Sequence, residues 1–490
     1  MILFYNPVST ASKKAVMPLS LLAVGAMLEG REEYRIVDGN LVPDGLTALR
    51  RALHETKADI LCCTVMPGPQ LTNVVPICKA LKAEFPSLII VWGGYFPTMH
   101  GEMVVREDYV DYAFQGHCEL IFPEFVEKVR RGEDITHLPG LVWRDAKGVI
   151  HQNRKPPVPD INHLPDFNYG RIDMARYARP TFLGSRTFSH HASYGCPFTC
   201  SFCAVVNMVN GRYSAQTAER AASVVETLVR DHGATAIEFF DNNFFVHEPR
   251  IAEFADRIKH FNIGWWGYGR ADTMVRWSDE TWGKLRDSGL KMVFMGAESG
   301  DAETLARMNK GGKQSGNVIL EVAEKMRRFK IVPEMSFIIG SPPDPAADTE
   351  RTIKFIRLLK KVNPDIEVIL YLYSPVPVEG GMQDEAKNWG FEYPKDLDTW
   401  TQLKWEKFAQ HLSSDLPWMT DRVRRKISNF QKVLHAAYPT VTDQGLTNIG
   451  RLALRTVATW RYAAQFYHYP LELKVLERLF PYRRPEIQGF

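Results

Sequence analysis

Apolar and polar positions alternate along the chain in two successive blocks of the same kind. To about residue 130, short and fully apolar runs punctuate amphipathic stretches: Ile2 to Tyr5, then a helical pattern from Leu19 to Glu29; Tyr34 to Val37, then a helix from Leu46 to Glu55. Ile60 to Val65 precedes a helix from Leu71 to Phe85, Leu88 to Trp92 runs into Gly93-Gly94, and Tyr109 to Phe114 precedes a helix from Leu120 to Arg131. Strands that are apolar on both faces and separated by helices predict a parallel sheet covered on each side. Residues 1–135 are therefore expected to form a doubly wound α/β domain of about five strands, with a ligand crevice beyond the carboxyl ends of those strands. A hairpin is expected between Leu138 and Asn153, turning at Asp145-Ala146-Lys147-Gly148, followed by an ordered linker to about residue 182. From 183 to 395 the alternation returns, with strands near Ala192, Ala236–Phe240, Trp265–Gly269, Met292–Met295, Glu334–Ile339 and Glu367–Tyr373. Six such units predict an open, partial (β/α)6 barrel rather than a closed one of eight. Residues 396–490 read as a helical region.

A chain of 490 residues exceeds one ordinary core, which agrees with this division. Its 45 % apolar and 24 % charged residues are those of a globular protein. The formal charge of +3 gives no reason to expect a nucleic-acid partner. No apolar run is long enough for a membrane span. Met1-Ile2-Leu3-Phe4-Tyr5 reads as a first strand rather than an export signal, so a cytoplasmic location is expected.

The seven cysteines do not suggest a disulfide framework. Cys62, Cys63, Cys78 and Cys118 sit in apolar contexts and read as buried small side chains. Cys196, Cys200 and Cys203 differ: C-x3-C-x2-C on one tight loop offers three thiolates to three irons of a cubane cluster, leaving a fourth iron open to an exogenous ligand. A zinc knuckle is the rival, with His190 or His191 as fourth ligand.

This loop, with Phe202 ahead of its last cysteine, resembles the signature of radical S-adenosylmethionine enzymes. Further pieces of that family stand at the expected strand ends. The resemblance implies that Asp241 and Asn243, in Asp241-Asn242-Asn243-Phe244-Phe245, receive the amino group of the methionine moiety. It implies that Arg270 lies near the methionine carboxylate. Glu298, in Gly296-Ala297-Glu298-Ser299-Gly300, and Gly340, in the turn along the adenosine, complete the S-adenosylmethionine site. Carboxylate and amide oxygens suit an ammonium, and guanidinium suits a carboxylate. Asn242 departs from the family, which often carries a second acid there. The implied reaction is cleavage of S-adenosylmethionine at a [4Fe-4S] cluster to a 5′-deoxyadenosyl radical, fed by an electron donor such as flavodoxin or ferredoxin.

An α/β domain ahead of such a barrel resembles the cobalamin-binding arrangement of one subclass. The matching pieces are Met17 to Leu22, Val91 to Thr98 with Gly93 and Gly94, Gly116-His117-Cys118-Glu119, and the linker Ile161 to Phe167. Gly93, Gly94, Gly116 and Glu119 are then the cobalamin-side residues. The glycine-rich dinucleotide fingerprint is missing after the first strand, and so is the Asp-x-His-x-x-Gly element that supplies an axial histidine. Cobalamin would bind without a protein histidine below the cobalt, unless the domain has lost it.

The segments Asp396 to Trp400 and Leu416 to Met419 resemble the helical appendix that covers the active site in the same subclass. Past Thr447 the chain is basic and aromatic. It reads either as a helix packed on the barrel with its basic face in water, or as a peripheral membrane contact suited to a lipid-like substrate. Three functions follow: cobalamin-dependent methylation of an unactivated carbon, a radical cyclase of the anaerobic magnesium-protoporphyrin ester type without methyl transfer, and a non-catalytic metal-binding protein. The residues identify neither a substrate nor a catalytic side chain acting on it.

Overall fold

The computed structural model describes residues 1–10, 15–310, 314–377, 382–413, 415–443 and 445–482. In the first block, β1 (Ile2–Asn6), α1 (Leu19–Ala26), β2 (Tyr34–Asp38), α2 (Gly45–Thr56), β3 (Ile60–Thr64), α3 (Pro69–Glu84), β4 (Ile89–Gly93), α4 (Tyr95–Val105), β5 (Tyr112–Phe114) and α5 (Phe122–Arg131) alternate as the pattern predicts. One helix, α4, has no counterpart in that expectation. Pro97 and Gly101 lie inside it, and the chain leaves helical geometry at His100 (φ −134°), so its apolar period is broken. The hairpin is present as β6 (Leu141–Arg144) and β7 (Ile150–Gln152), and it adds antiparallel to β5.

The resulting sheet has the order β2-β1-β3-β4-β5-β6-β7. Successive side chains of β1 go to opposite faces. Leu3 and Tyr5 pack with α2, α3 and α4, while Ile2 and Phe4 pack with α1 and α5. The strand order reverses between β1 and β3, which places the ligand crevice at the carboxyl ends of these strands.

The linker holds two 3-10 turns, at Ile161–His163 and Tyr169–Arg171, and one short α-helix, α6 (Met174–Tyr177). The second block follows as β8 (Thr187–His190), β9 (Ser193–Gly195), α7 (Val205–Val209), β10 (Tyr213–Ala215), α8 (Ala218–His232), β11 (Ala236–Phe239), α9 (Glu248–Ile258), β12 (Gly264–Gly269), α10 (Ala271–Met274), α11 (Asp279–Asp287), β13 (Leu290–Glu298), α12 (Ala302–Arg307), α13 (Gly316–Phe329), β14 (Val332–Ile339), α14 (Pro345–Val362) and β15 (Glu367–Leu372). Strands β8, β11, β12, β13, β14 and β15 pair in chain order, all parallel, and β8 and β15 remain unpaired with each other. This is the open six-unit barrel. Its first strand ends at His190, slightly before the predicted position at Ala192. Trp265, Val293 and Met335 point out to the helices, whereas Trp266, Tyr268 and Phe294 form the aromatic inner wall.

The C-terminal region comprises α15 (Met382–Asn388), α16 (Leu397–Trp400), α17 (Leu403–Ala409), α18 (Asp421–Ala437), α19 (Asn448–Ala463) and α20 (Leu471–Leu479). It is a wedge rather than a tail. Trp400, Phe408 and Trp418 share one apolar core with Leu71 of α3 and Phe96 of α4 and with Ile339 and Tyr373 at the barrel strand ends. Phe96 meets Trp400 edge-on at 5.5 Å, and Lys79 pairs with Asp398 at 2.6 Å. On the other side, Met17, Leu19 and Leu22 enter the barrel's core beside Phe188 and Tyr177. Both layers are thus held with their strand ends toward the cysteine loop.

Candidate active site

The cysteine loop is framed by the small ladder of β9 and β10, in which Gly195 opposes Tyr213. Gly195 has φ +75°, and a Cβ there would stand 2.2 Å from the Arg212 carbonyl, so the strand can turn into Cys196 only through glycine. The loop is pinned further by Ser201, whose N–H donates to the Met308 carbonyl (3.1 Å) and whose hydroxyl donates to the Arg307 carbonyl (2.8 Å). Cys200 is buried; Cys196 and Cys203 are partly open. Burial pushes the Cys196 thiol up and the Cys203 thiol to about 11. Thiolates there need a bound cation to be stable. Arg270 supplies part of that charge, donating from Nη1 to Cys200 Sγ at 3.1 Å while its guanidinium lies 3.8 Å over the Phe198 ring.

This donor set fits a cubane cluster better than zinc. Structural zinc draws four ligands to one point at about 2.3 Å or less. Among the described residues no three His, Cys, Asp or Glu side chains converge on a single ion. His190, one of the two candidates for a fourth zinc ligand, is turned to Gln216 (3.1 Å) and Tyr169 (3.4 Å) in the core beneath the loop. Three thiols spaced around a loop match three separate irons instead.

Around the loop, the barrel's strand ends gather the residues singled out in the sequence, and each has a distinct setting. Both oxygens of Asp241 are engaged by the chain: Oδ1 accepts from the Ser193 hydroxyl and Oδ2 from the Ala192 N–H (3.1 Å). It braces the entry to the cysteine loop, and burial raises its pKa to about 6. Asn243 is also buried, yet neither its amide oxygen nor its nitrogen makes a hydrogen bond of ordinary geometry. A buried orphan amide beside Cys196 is costly unless a ligand completes it. Arg270 is clamped by Asp272, Nε to Oδ1 at 3.0 Å and Nη2 to Oδ2 at 2.8 Å, and Nη2 also donates to the Lys310 carbonyl at 2.8 Å.

Glu298 sits at φ +66°, a conformation uncommon for a side-chain-bearing residue, with its carboxylate on Lys310 Nζ at 2.5 Å. Lys310 also donates to the Gly296 carbonyl, and both partners are buried. Gly340 (φ +78°) turns at the end of β14, where Met419 of the C-terminal wedge covers it: a Cβ would come within 2.4 Å of Met419 Cε. Its N–H and that of Ser341 donate to Asp348 Oδ2. Lys310 and Asp348 were not legible in the sequence; each lies in a polar stretch that looks like ordinary helix flank.

The first sheet presents its own strand-end loops to the same place. At Gly93 a Cβ would meet nothing within 4 Å, so the end of β4 borders open space. Gly94 (φ +97°) is tight, 3.2 Å from Thr64 Oγ1 and from the Val65 nitrogen. Gly116 (φ +72°) leads to His117, which stacks on Tyr194 at 4.7 Å, two residues before Cys196. Glu119 is buried beside His117, at 3.4 Å. Burial opposes its ionisation, but His117 and the Tyr194 hydroxyl outweigh that and hold its pKa below the ordinary value. Tyr95, at the start of α4, is close enough to Cys203 for the thiolate to raise its phenol pKa further, burial being the larger cause. The open edge at Gly93 and the polar side chains of His117 and Glu119 leave room and hydrogen-bonding groups for a corrin at these strand ends.

The description of the Radical SAM superfamily matches residues 192–356, and that of the B12 binding domain matches residues 6–126. An uncharacterized methyltransferase of Pyrococcus horikoshii is 24 % identical over 365 residues, covering 73 % of this chain and 78 % of its own. The anaerobic magnesium-protoporphyrin IX monomethyl ester cyclase of Synechocystis is 24 % identical over 452 residues, covering 85 % of this chain and 86 % of its own. The radical S-adenosylmethionine methyltransferase TsrM of Kitasatospora setae shares the fold, with TM-score 0.63, 17 % identity, and coverage of 84 % of this chain and 83 % of its own. With the cysteine loop set at the mouth of the open barrel and the first sheet facing it, the chain is a radical S-adenosylmethionine enzyme of the cobalamin-binding branch.

Proposed function

We propose that this enzyme methylates an unactivated carbon of a small organic substrate. The carrying observation is that the strand ends of the first domain reach the cysteine loop: Tyr95, directly after Gly93-Gly94, lies within electrostatic reach of Cys203, and His117 stacks on Tyr194, two residues before Cys196. When bound, the cluster with S-adenosylmethionine supplies a 5′-deoxyadenosyl radical and cobalamin supplies a methyl carrier. The residues of the chain provide position and dryness. Cys196, Cys200 and Cys203 hold the cluster. Asn243, with its unpaired amide, receives the ammonium of the methionine moiety, while Asp241 keeps the loop entry in register. Arg270 holds positive charge at Cys200 and at the methionine carboxylate end of the site. Glu298, fixed by Lys310, and the Gly340 turn line the nucleoside end, and Gly93, Gly94, Gly116 and Glu119 border the corrin.

Tyr268 and Phe294, whose rings meet at 5.0 Å, and Tyr371, which meets His411 at 5.7 Å, wall the barrel mouth where substrate enters. A site walled by aromatic rings and capped by the wedge excludes water from a radical.

Coverage of most of both chains by the cyclase relative supports a second reading, radical ring formation without methyl transfer. Product analysis separates the two. Methylation yields S-adenosylhomocysteine together with 5′-deoxyadenosine in each turnover, and cyclisation yields 5′-deoxyadenosine alone. Reconstituted enzyme given S-adenosylmethionine, a reductant, cobalamin and a small-molecule extract as the source of the methyl acceptor is expected to give both products. Loss of bound corrin with cleavage intact would sink the methylation reading.

A further inference from the structure

The basic, aromatic end of the chain has a use that the active site does not absorb. Helices α19 and α20 turn one set of residues inward: Leu454, Ala458, Tyr462 and Leu473 are buried with Phe430 and Leu434 of α18. The only acids between residues 445 and 482, Glu472 and Glu477, are half-buried and neutralised within the chain. Glu472 pairs with the buried Arg461, and Glu477 pairs with Lys432 at 2.6 Å. What remains outside carries no acid, and beside neutral polar groups it is rich in large apolar and cationic side chains. Ile449 is 73 % exposed and Leu452 68 %, with Trp460 further along α19; Tyr469 is 74 % exposed; Leu471, Val475 and Leu479 follow at four-residue steps along one side of α20. Arg455, Lys474 and Arg478 are exposed among them, and no described carboxylate pairs with them.

An apolar stripe of this kind marks a contact surface. We propose that the α19–α20 hairpin rests on an anionic lipid surface, its leucines, Ile449 and Trp460 in the acyl boundary and Arg455, Lys474 and Arg478 at headgroup phosphates. The charge pattern selects this occupant. A two-fold contact with a second copy would bring the unpaired cations of both chains together. An acidic protein would satisfy the cations but has no need of these seven large apolar side chains standing in water. Aliphatic side chains interleaved with Trp, Tyr and unpaired Arg or Lys are what an interfacial helix requires. Among the described residues no helix is long and apolar enough to cross a membrane, so the contact is peripheral.

The test is sedimentation of the full purified chain with phosphatidylcholine vesicles, with and without phosphatidylglycerol. The chain is expected to pellet with the anionic vesicles and to be released by salt. Leu452→Ser with Leu479→Ser is expected to weaken binding tenfold or more, on the order of the lost apolar burial. Arg455→Gln and Arg478→Gln are each expected to weaken it about fivefold. These side chains are exposed, so an unchanged melting temperature shows that the variants fold. Absence of pelleting with either vesicle overturns the proposal. So does equal binding to neutral and anionic vesicles, or a dimer in light scattering that the double leucine variant abolishes.

Discussion

Removing the ammonium of Lys310 is expected to cost far more than its place beside a helix end suggests. Lys310 and Glu298 are 5 % and 6 % exposed, their charged atoms are 2.5 Å apart, and Lys310 also ties down the Gly296 carbonyl. Breaking such a pair from one side strands the other charge in a poorly solvating site, which costs about 3–5 kcal/mol. Removing both charges costs much less, because nothing is left unpaired. Glu298 adds a backbone component: a non-glycine residue at φ +66° carries about 1–2 kcal/mol of strain that the ion pair holds in place. Lys310→Met, Glu298→Gln and the double variant therefore form a cycle. For a unit the size of the barrel, about 2–4 °C per kcal/mol applies, so Lys310→Met is expected to lower the barrel's melting temperature by about 6–20 °C. The double variant should recover more than half of that. Tryptophan fluorescence reports the transition, since Trp265, Trp266 and Trp282 are buried in the barrel. Two single losses below about 1 kcal/mol that simply add in the double variant would refute the reasoning, because the pair would then be solvated and uncoupled.

Other expectations follow from the same geometry. Cys200→Ala should abolish the visible absorbance of the reconstituted cluster and all formation of 5′-deoxyadenosine, while leaving corrin binding at the first sheet intact. Gly93→Ala should leave stability within about 0.5 kcal/mol, since its Cβ enters open space, yet reduce retained corrin in the purified protein. Gly94→Ala should instead destabilise the first domain by about 1–2 kcal/mol, because it forces a side chain into φ +97° against the Val65 backbone; equal losses at the two positions would contradict this. Burial raises the folded-state pKa of Asp241 to about 6, above its unfolded value. The folded state then binds more protons between about pH 4 and pH 6, so this group's contribution to stability is greatest below pH 4 and falls as pH rises to 6. Replacing it with Asn should remove that part of the pH dependence in urea titrations; an unchanged profile would mean the carboxyl is solvated.

The parts of this protein that the sequence made legible are those fixed by short-range rules. Apolar runs of four to six residues located the strands of both sheets, because a parallel sheet buries both faces and leaves no polar alternation to interpret. The cysteine loop was legible because its chemistry is local: three ligands within eight residues suffice for three irons. Helix α4 was not, since Pro97, Gly101 and the bend at His100 erase its period, and tertiary contacts of Phe96 with Trp400 hold it instead. Lys310 was not legible either. Its significance arises only when α12 brings it under Glu298, twelve residues away, and no periodicity encodes that. Asp241 illustrates the converse. A carboxylate at a strand end reads as a ligand for an ammonium, but folding also gives each of its oxygens a partner in Ala192 and Ser193, and the Asn243 amide beside it is left without one.

That division also explains why the chain needs its third region. A flavodoxin-like sheet and an open barrel each expose the carboxyl ends of their strands, and two such mouths apposed directly would leave a water-filled gap. The C-terminal wedge fills the side of that gap with Trp400, Phe408 and Trp418, packed at once on Phe96 of α4 and on Ile339 and Tyr373 of the barrel. Met419, from the same stretch, closes over Gly340 at the nucleoside end. The apolar cluster around Trp400, Phe408 and Trp418 therefore ties the helices of the first domain to the strand ends of the barrel. A change inside it, such as Trp400→Ala, is expected to loosen both at once: more corrin lost on gel filtration, and more 5′-deoxyadenosine formed per product released, as the radical takes its hydrogen atom from the reductant or a protein C–H bond instead of from substrate. A variant that lost stability but kept the product ratio would show that the wedge is only a support.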